Sequence, residues 1–217
     1  MLPGFSLVEL MIALGILGIG FAMAAALFPA ALKQTELSYN DTIGTIIAQN
    51  GLAVARAILT GSAVGVDPNV HVIAQDGTIG PPIDPNLRAY HDDPNAVTPD
   101  KGFLVLGSQP VGSDTKLLVI VAYAKKNPGA AVTAQSITLN SSNMDKARIL
   151  SGGAVKGSPL ILARNGEYAL IEELPSSTDA LLSRNLTINQ NDTGWVIVEQ
   201  GQEVSPAIAV LVARVAL

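Results

Sequence analysis

Cysteine is absent from the 217 residues, which excludes disulfides, thiolate nucleophiles, Cys-ligated zinc and Cys-ligated iron–sulfur clusters. Histidine occurs only as His71 and His91, so a site built on three histidines is excluded as well. Charge is scarce: 14% of the residues are Asp, Glu, Lys or Arg, against roughly 25% in an ordinary soluble domain. Thirteen basic residues face eighteen acidic ones, a net charge of −5. That balance argues against nucleic acid as a structural partner, which calls for a basic patch. Catalytic patterns are missing too. There is no Gly-x-Ser-x-Gly and no Ser-His-acid spacing. Ser151–Gly157 is glycine-rich but lacks the Gly-Lys-Ser/Thr of a phosphate loop, and it reads as a flexible hairpin loop. Adjacent strand residues point to opposite faces, so Glu172 and Glu173 read as a solvated strand end rather than an acid pair. His71 and His91 read as turn or surface residues. No catalytic residue is assigned, and the chain is not read as an enzyme.

What is present is concentrated at the start. Leu10 to Leu32 is 23 residues without a charge, and the run from Phe5 adds only Glu9. About 20 such residues cross a bilayer. A secretory signal peptide would show a basic n-region and a shorter apolar core. Here nothing basic precedes the run, although Ala24-Ala25-Ala26 has the small residues of a cleavage site. Glu9 is the feature that demands an explanation, because an intramembrane carboxylate is expensive and is usually paired and functional. Removal of Met1–Gly4 would leave an ammonium on Phe5, about one helical turn before the acid. The ammonium of one subunit would then neutralise the carboxylate of its neighbour, and a paired charge is tolerated where an unpaired one is not.

Gly4-Phe5-Ser6-Leu7-Val8-Glu9-Leu10-Met11-Ile12-Ala13 resembles the N-terminal signature of type IV prepilins and type II secretion pseudopilins. The resemblance covers about the first 55 residues at the level of fold and about 30 at the level of sequence. It implies cleavage of Gly4–Phe5 by a membrane prepilin peptidase that also methylates the new N-terminal phenylalanine. It places Glu9 fifth in the mature chain, where the family has its assembly glutamate. The partners implied are that peptidase/methyltransferase, other pilin or pseudopilin subunits and an inner-membrane assembly platform. The location implied is the bacterial inner membrane, single-pass, N-terminus cytoplasmic and head periplasmic or extracellular. Family leaders usually carry a positive charge, which Met1–Gly4 lacks. Family pilins often close a C-terminal loop with a disulfide. A chain without cysteine cannot, which favours a pseudopilin or a cysteine-free minor pilin.

The expected fold class is α+β and pilin-like: a long N-terminal helix whose first half spans the membrane, packed on an antiparallel β-sheet head. The divisions are a leader at 1–4, an assembly helix at 5–32, an amphipathic half at 33–60 and a loop-rich head at 61–217. Pro29 removes a backbone donor and should bend the helix. Gly15, Gly18 and Gly20 would let helices approach closely. Past Lys33, Ile43, Ile47, Val54 and Ile58 recur at helical spacing and should lie on a sheet. Thr60-Gly61-Ser62 reads as the stop. Strands are expected near 70–74, 103–106, 117–123, 132–139, 160–163, 168–171, 195–198 and 207–217. Asn165-Gly166 between two of them is a hairpin turn. Asp67-Pro68-Asn69, Asp84-Pro85-Asn86 and Asp93-Pro94-Asn95 suit turns. Asp92 and Asp93 have the oxygen ligands calcium wants, and some pseudopilins bind it. No twelve-residue calcium loop is present, so turn chemistry is the better reading and no cofactor is required.

Three functional classes follow. The leading one is a structural subunit of a pseudopilus or pilus, with the type II secretion pseudopilin preferred over a minor type IV pilin. The second is a membrane-anchored extracytoplasmic binding module. The third, an anchored enzyme, has no residues to name.

Overall fold

The computed structural model describes residues 6–61, 71–72, 89–90, 100–108, 115–127, 129–143 and 145–216. The chain divides into two compact units, Met1–Thr42 and Ile43–Leu217. A single helix, α1, runs from Leu7 to Gly61 and is continuous through Pro29, close to the expected span of Phe5 to about Thr60. Its last helical residue is the glycine that the sequence marks as the stop.

In the first unit α1 is bare. Leu7 is 76% exposed and Leu32 56%, and the segment is long and apolar enough to cross a membrane. Further along, Thr35 donates Oγ1–H to the Ala31 carbonyl and Thr42 to that of Ser38, each at 2.9 Å. These hydroxyls therefore find partners on their own helix.

The second unit holds the rest of α1 and eleven described strands. They are β1 (His71–Val72), β2 (Ala89–Tyr90), β3 (Lys101–Ser108), β4 (Thr115–Ala124), β5 (Val132–Asn143), β6 (Lys146–Ser151), β7 (Pro159–Leu162), β8 (Tyr168–Ser176), β9 (Asp179–Leu182), β10 (Asp192–Glu199) and β11 (Ala207–Ala216). One sheet has the order β1-β3-β4-β11, with β2 also on β3. Its β1–β3 pair is parallel and the rest antiparallel. The other six strands close a barrel in the order β10-β5-β6-β9-β8-β7. All six lie between β4 and β11 in the chain.

The apolar run of β4 is buried on both faces. Leu118, Ile120 and Ala122 join Phe103 and Val105 of β3 against Ile47, Ala48 and Ala55 of α1. The alternate residues Val119, Val121 and Tyr123 join Leu104 and Leu106 against Trp195, Ile161 and Ile197 of the barrel. Period-2 alternation thus builds two cores from one strand. Inside the barrel, Ile137, Leu139, Leu160, Leu162, Ile171 and Val196 form a third core. It is filled to contact: a Cβ on Gly194 would stand 2.7 Å from Leu139 Cδ1 and 2.9 Å from Leu160 Cδ1.

The helix packs on antiparallel sheet, as the sequence implies, but the head is not one sheet. The barrel is an additional structure. The Asn165-Gly166 turn links β7 to β8, which pair antiparallel, and Gly166 has φ +72°. One detail is corrected. Ser151–Gly157 is not a hairpin loop, because it joins β6 to β7, which are not neighbours in the barrel. Glu172 and Glu173 are both exposed near the end of β8, beside a register shift between Ile171 and Glu173, which agrees with a solvated strand end.

Candidate functional site

Ser6 stands directly before α1, and its carbonyl accepts the Leu10 N–H at 3.2 Å, opening the intrahelical ladder. Two further donors are held by side chains. Ser6 Oγ accepts the Val8 N–H at 3.2 Å, and the Glu9 carboxylate reaches back to accept the Ser6 N–H through Oε2 at 3.1 Å. This is a capping box, Ser-x-x-Glu, in which two otherwise orphaned donors are satisfied reciprocally. The acid also lies in the first turn, where negative charge complements the helix dipole. Glu9 is exposed on its own chain. Gly4 and Phe5 lie outside the described residues.

The signal for the box is in the sequence, where Ser6 and Glu9 stand three apart ahead of an apolar run. The cleavage motif overlaps it and draws attention away from the capping geometry.

Elsewhere the polar groups serve the fold. Glu199, 2% exposed, accepts the Lys126 N–H at 3.0 and 3.1 Å and the Asn127 N–H at 2.7 Å. It thereby ties the segment leaving β4 to the end of β10, and no sequence motif announces it. β7 pairs with β10 only at Gly194↔Leu162 and Trp195↔Ile161. Past those pairs the Ile197 N–H donates to Ser158 Oγ at 2.7 Å, and its carbonyl accepts from Ser205 Oγ at 2.8 Å. Arg164 lies 3.3 Å from Asp192, whose other contact is the Asn189 N–H at 2.7 Å. Arg184 covers the Tyr168 ring at 4.8 Å. Among the described residues no cluster of three or more His, Cys, Asp or Glu could hold a metal ion. Asp92, Asp93 and His91 lie outside the described residues, as do the three Asp-Pro-Asn turns. His71 falls in β1.

The capped start of α1 falls within a match to a known family. Residues 4–25 match the family described as the prokaryotic N-terminal methylation motif. The chain therefore carries a type IV pilin-like prepilin signature. That motif implies processing by a peptidase and assembly with other pilin subunits, and with the apolar helix it supports membrane anchoring. The family is structural rather than catalytic. No curated protein and no solved structure matches the chain.

Proposed function

We propose that this chain is a structural subunit of a pseudopilus or pilus, of the type II secretion pseudopilin kind. It enters the fibre through α1 after its leader is cut between Gly4 and Phe5. The observation that carries the reading is the methylation motif at residues 4–25 ending in a bare apolar helix whose first turn holds Glu9. A plain anchor needs neither.

Hydrolysis adds water across Gly4–Phe5. Gly4 leaves as a carboxylate, and Phe5 keeps an amine that takes a proton at neutral pH. N-methylation leaves that charge in place. Glu9 holds its own Ser6 N–H through Oε2, and in the assembled fibre its carboxylate would pair with the ammonium of a neighbouring subunit. An unpaired charge in hydrocarbon is strongly unfavourable. The pair relieves that penalty only when two subunits are in register, so it sets stagger as well as attraction. The partners are a prepilin peptidase/methyltransferase, other subunits and an inner-membrane platform. The head lies on the periplasmic or external side. Absence of cysteine favours the pseudopilin over the disulfide-closed pilins.

Intact mass and N-terminal sequencing of the protein from its native membrane test the reading. The expected chain begins at N-methyl-Phe5. A mature chain that begins at Met1, or after Ala26, overturns it.

A further inference from the structure

Every neighbouring pair in the barrel ring β10-β5-β6-β9-β8-β7 is antiparallel. Two connections join strands that stand three places apart in that ring, on opposite walls, so each crosses an end of the barrel. Residues 152–158 run from β6 to β7, and residues 183–191 run from β9 to β10. Because β6 and β9 are antiparallel neighbours, the two crossings close opposite ends.

The crossings are fastened differently. The first is stitched by main chain. The Gly157 N–H donates to the Ile171 carbonyl at 2.8 Å, the Ile171 N–H donates to the Ser158 carbonyl at 2.9 Å, and the Ser205 N–H donates to the Lys156 carbonyl at 2.9 Å. The second is stitched at its start, where the Ser183 N–H donates to the Leu170 carbonyl at 2.9 Å, Ser183 Oγ accepts the Leu170 N–H at 3.0 Å, and Arg184 Nε donates to the Tyr168 carbonyl at 2.5 Å. From Asn185 to Ile188 there is no main-chain to main-chain bond among the described residues. Leu186 and Ile188 are buried there and join the barrel core with Leu139, Leu162 and Leu182, while Asn185, Thr187 and Asn189 are exposed. One side chain from outside the crossing holds this stretch. Arg164 donates through Nη2 to the Thr187 carbonyl, which lies between the two buried residues. Its Nε lies 3.3 Å from Asp192 Oδ2, the same oxygen that accepts the Asn189 N–H at 2.7 Å. Asn191, at φ +60°, makes the turn into β10.

We propose that residues 185–191 are a latched plug: Leu186 and Ile188 close one end of the barrel, Arg164 is the latch, and the plug lifts as a unit while the strands stay paired. Lifting breaks no ladder bond. It costs the burial of two aliphatic side chains and the bonds of one guanidinium, whereas opening the other end requires main-chain bonds to β8 and to Ser205 to break. Local opening is drawn from segments with few such bonds. The open form bares the apolar interior at one end of the barrel only.

The chain has no cysteine, so a single introduced thiol reports its own site. In the full chain in detergent, Ile188→Cys should react with a small thiol reagent about tenfold faster than Leu160→Cys, at a rate nearly independent of low urea. Leu160→Cys should react only through global unfolding, with a steep urea dependence. Arg164→Met keeps the aliphatic stem and removes the latch. It should speed Ile188→Cys labelling about tenfold, as loss of a bond from a charged donor does. Glu199→Ala, at the far end of β10 from the plug, should speed Leu160→Cys labelling and leave that of Ile188→Cys in low urea unchanged. Hydrogen exchange of the Asn189 amide reads the plug with Ile188 in place. It should show the same shallow urea dependence and the same acceleration by Arg164→Met.

Ile188→Cys labelling and Asn189 exchange that share the urea slope of Leu160→Cys overturn the plug, because the crossing would then open only with the whole fold. Asn189 exchange unchanged by Arg164→Met overturns the latch.

Discussion

Gly15, Gly18 and Gly20 have no atom within 4 Å of where a Cβ would stand, whereas a Cβ on Gly44 would lie 2.9 Å from that of Ala209 and one on Gly51 would lie 2.8 Å from Ile120 Cγ2. The same residue type in one helix thus answers to two surroundings. In the second unit glycine lets the helix backbone settle on the sheet, with Ile47, Ala48 and Ala55 along the same seat. In the first unit no contact among the described residues explains it. The carboxylates divide the same way. Glu199 is buried and accepts two backbone N–H groups from its own fold, one of them shared between both oxygens. Glu9 is exposed and, among the described residues, takes one. The second unit supplies the neighbours of its own glycines and the donors to its buried acid, while the first carries exposed small residues and an exposed charge.

The sharpest separation is expected from Glu9→Gln. The head should melt within about 0.5 kcal/mol of wild type, as distant surface changes do. Cross-linked multimers and fibre incorporation should fall tenfold or more, since even one lost inter-subunit bond worth about 1.4 kcal/mol is a factor of ten. Insertion and processing should persist. A Glu9→Gln protein that is incorporated like wild type would break the comparison, because the exposed carboxylate would then have no role outside its own cap.

Glu199→Ala should have the opposite signature. It orphans the Lys126 and Asn127 donors, and urea unfolding followed by Trp195 fluorescence should show a loss of about 3 kcal/mol. The exposed control Glu173→Ala should change little. Equal stability of the two variants would show that burial does not distinguish these carboxylates.

Gly51→Ala should lose about 1–2 kcal/mol in the same assay. Overpacking against Ile120 and Phe103 outweighs the gain in helix propensity of about 1 kcal/mol. Gly18→Ala should leave head stability unchanged. A stabilised Gly51→Ala head would mean that α1 does not sit tightly on β3 and β4.

The smallest effect is expected at Trp195, 1% exposed, whose Nε1–H has no partner among the described residues. Trp195→Phe removes a buried unpaired donor and some packing area together. The two contributions should nearly cancel, leaving the melting midpoint by circular dichroism within about 1 kcal/mol of wild type. A loss of several kcal/mol would show that the indole N–H is engaged.

Which elements were legible in the sequence follows from the range of the signal. The span, the Lys33 change of character and the Gly61 stop are local, and they place α1 to within two residues. The unbroken run 117–123 correctly marks a strand with no wet face, and Asn165-Gly166 correctly marks a hairpin. Closure of the barrel was not legible. It depends on β10 pairing with both β5 and β7, and alternation tells a strand which face is apolar but not which strand lies beside it. β6 and β9 escaped because each is short and carries charge, as in Lys146 and Asp179. At the N-terminus the methylation motif was legible, and the Ser6–Glu9 cap emerged only with the geometry. Glu199 was invisible, since its two donors lie more than seventy residues away in sequence.

The placement of the barrel between β4 and β11 has a consequence for the order in which the head is made. β4 emerges from the ribosome long before β11, its partner from Thr115↔Ala216 to Tyr123↔Ala207. Closing so long a loop from a random chain is entropically slow. Once the intervening strands have formed their own core, the two ends stand one hydrogen bond apart, the Ala124 N–H on the Pro206 carbonyl at 2.9 Å. The effective loop is then short. The insertion thus acts as a template for the sheet that contains it: amide protection should appear in β5–β10 first, and the C-terminal strand should complete the seat of the helix last.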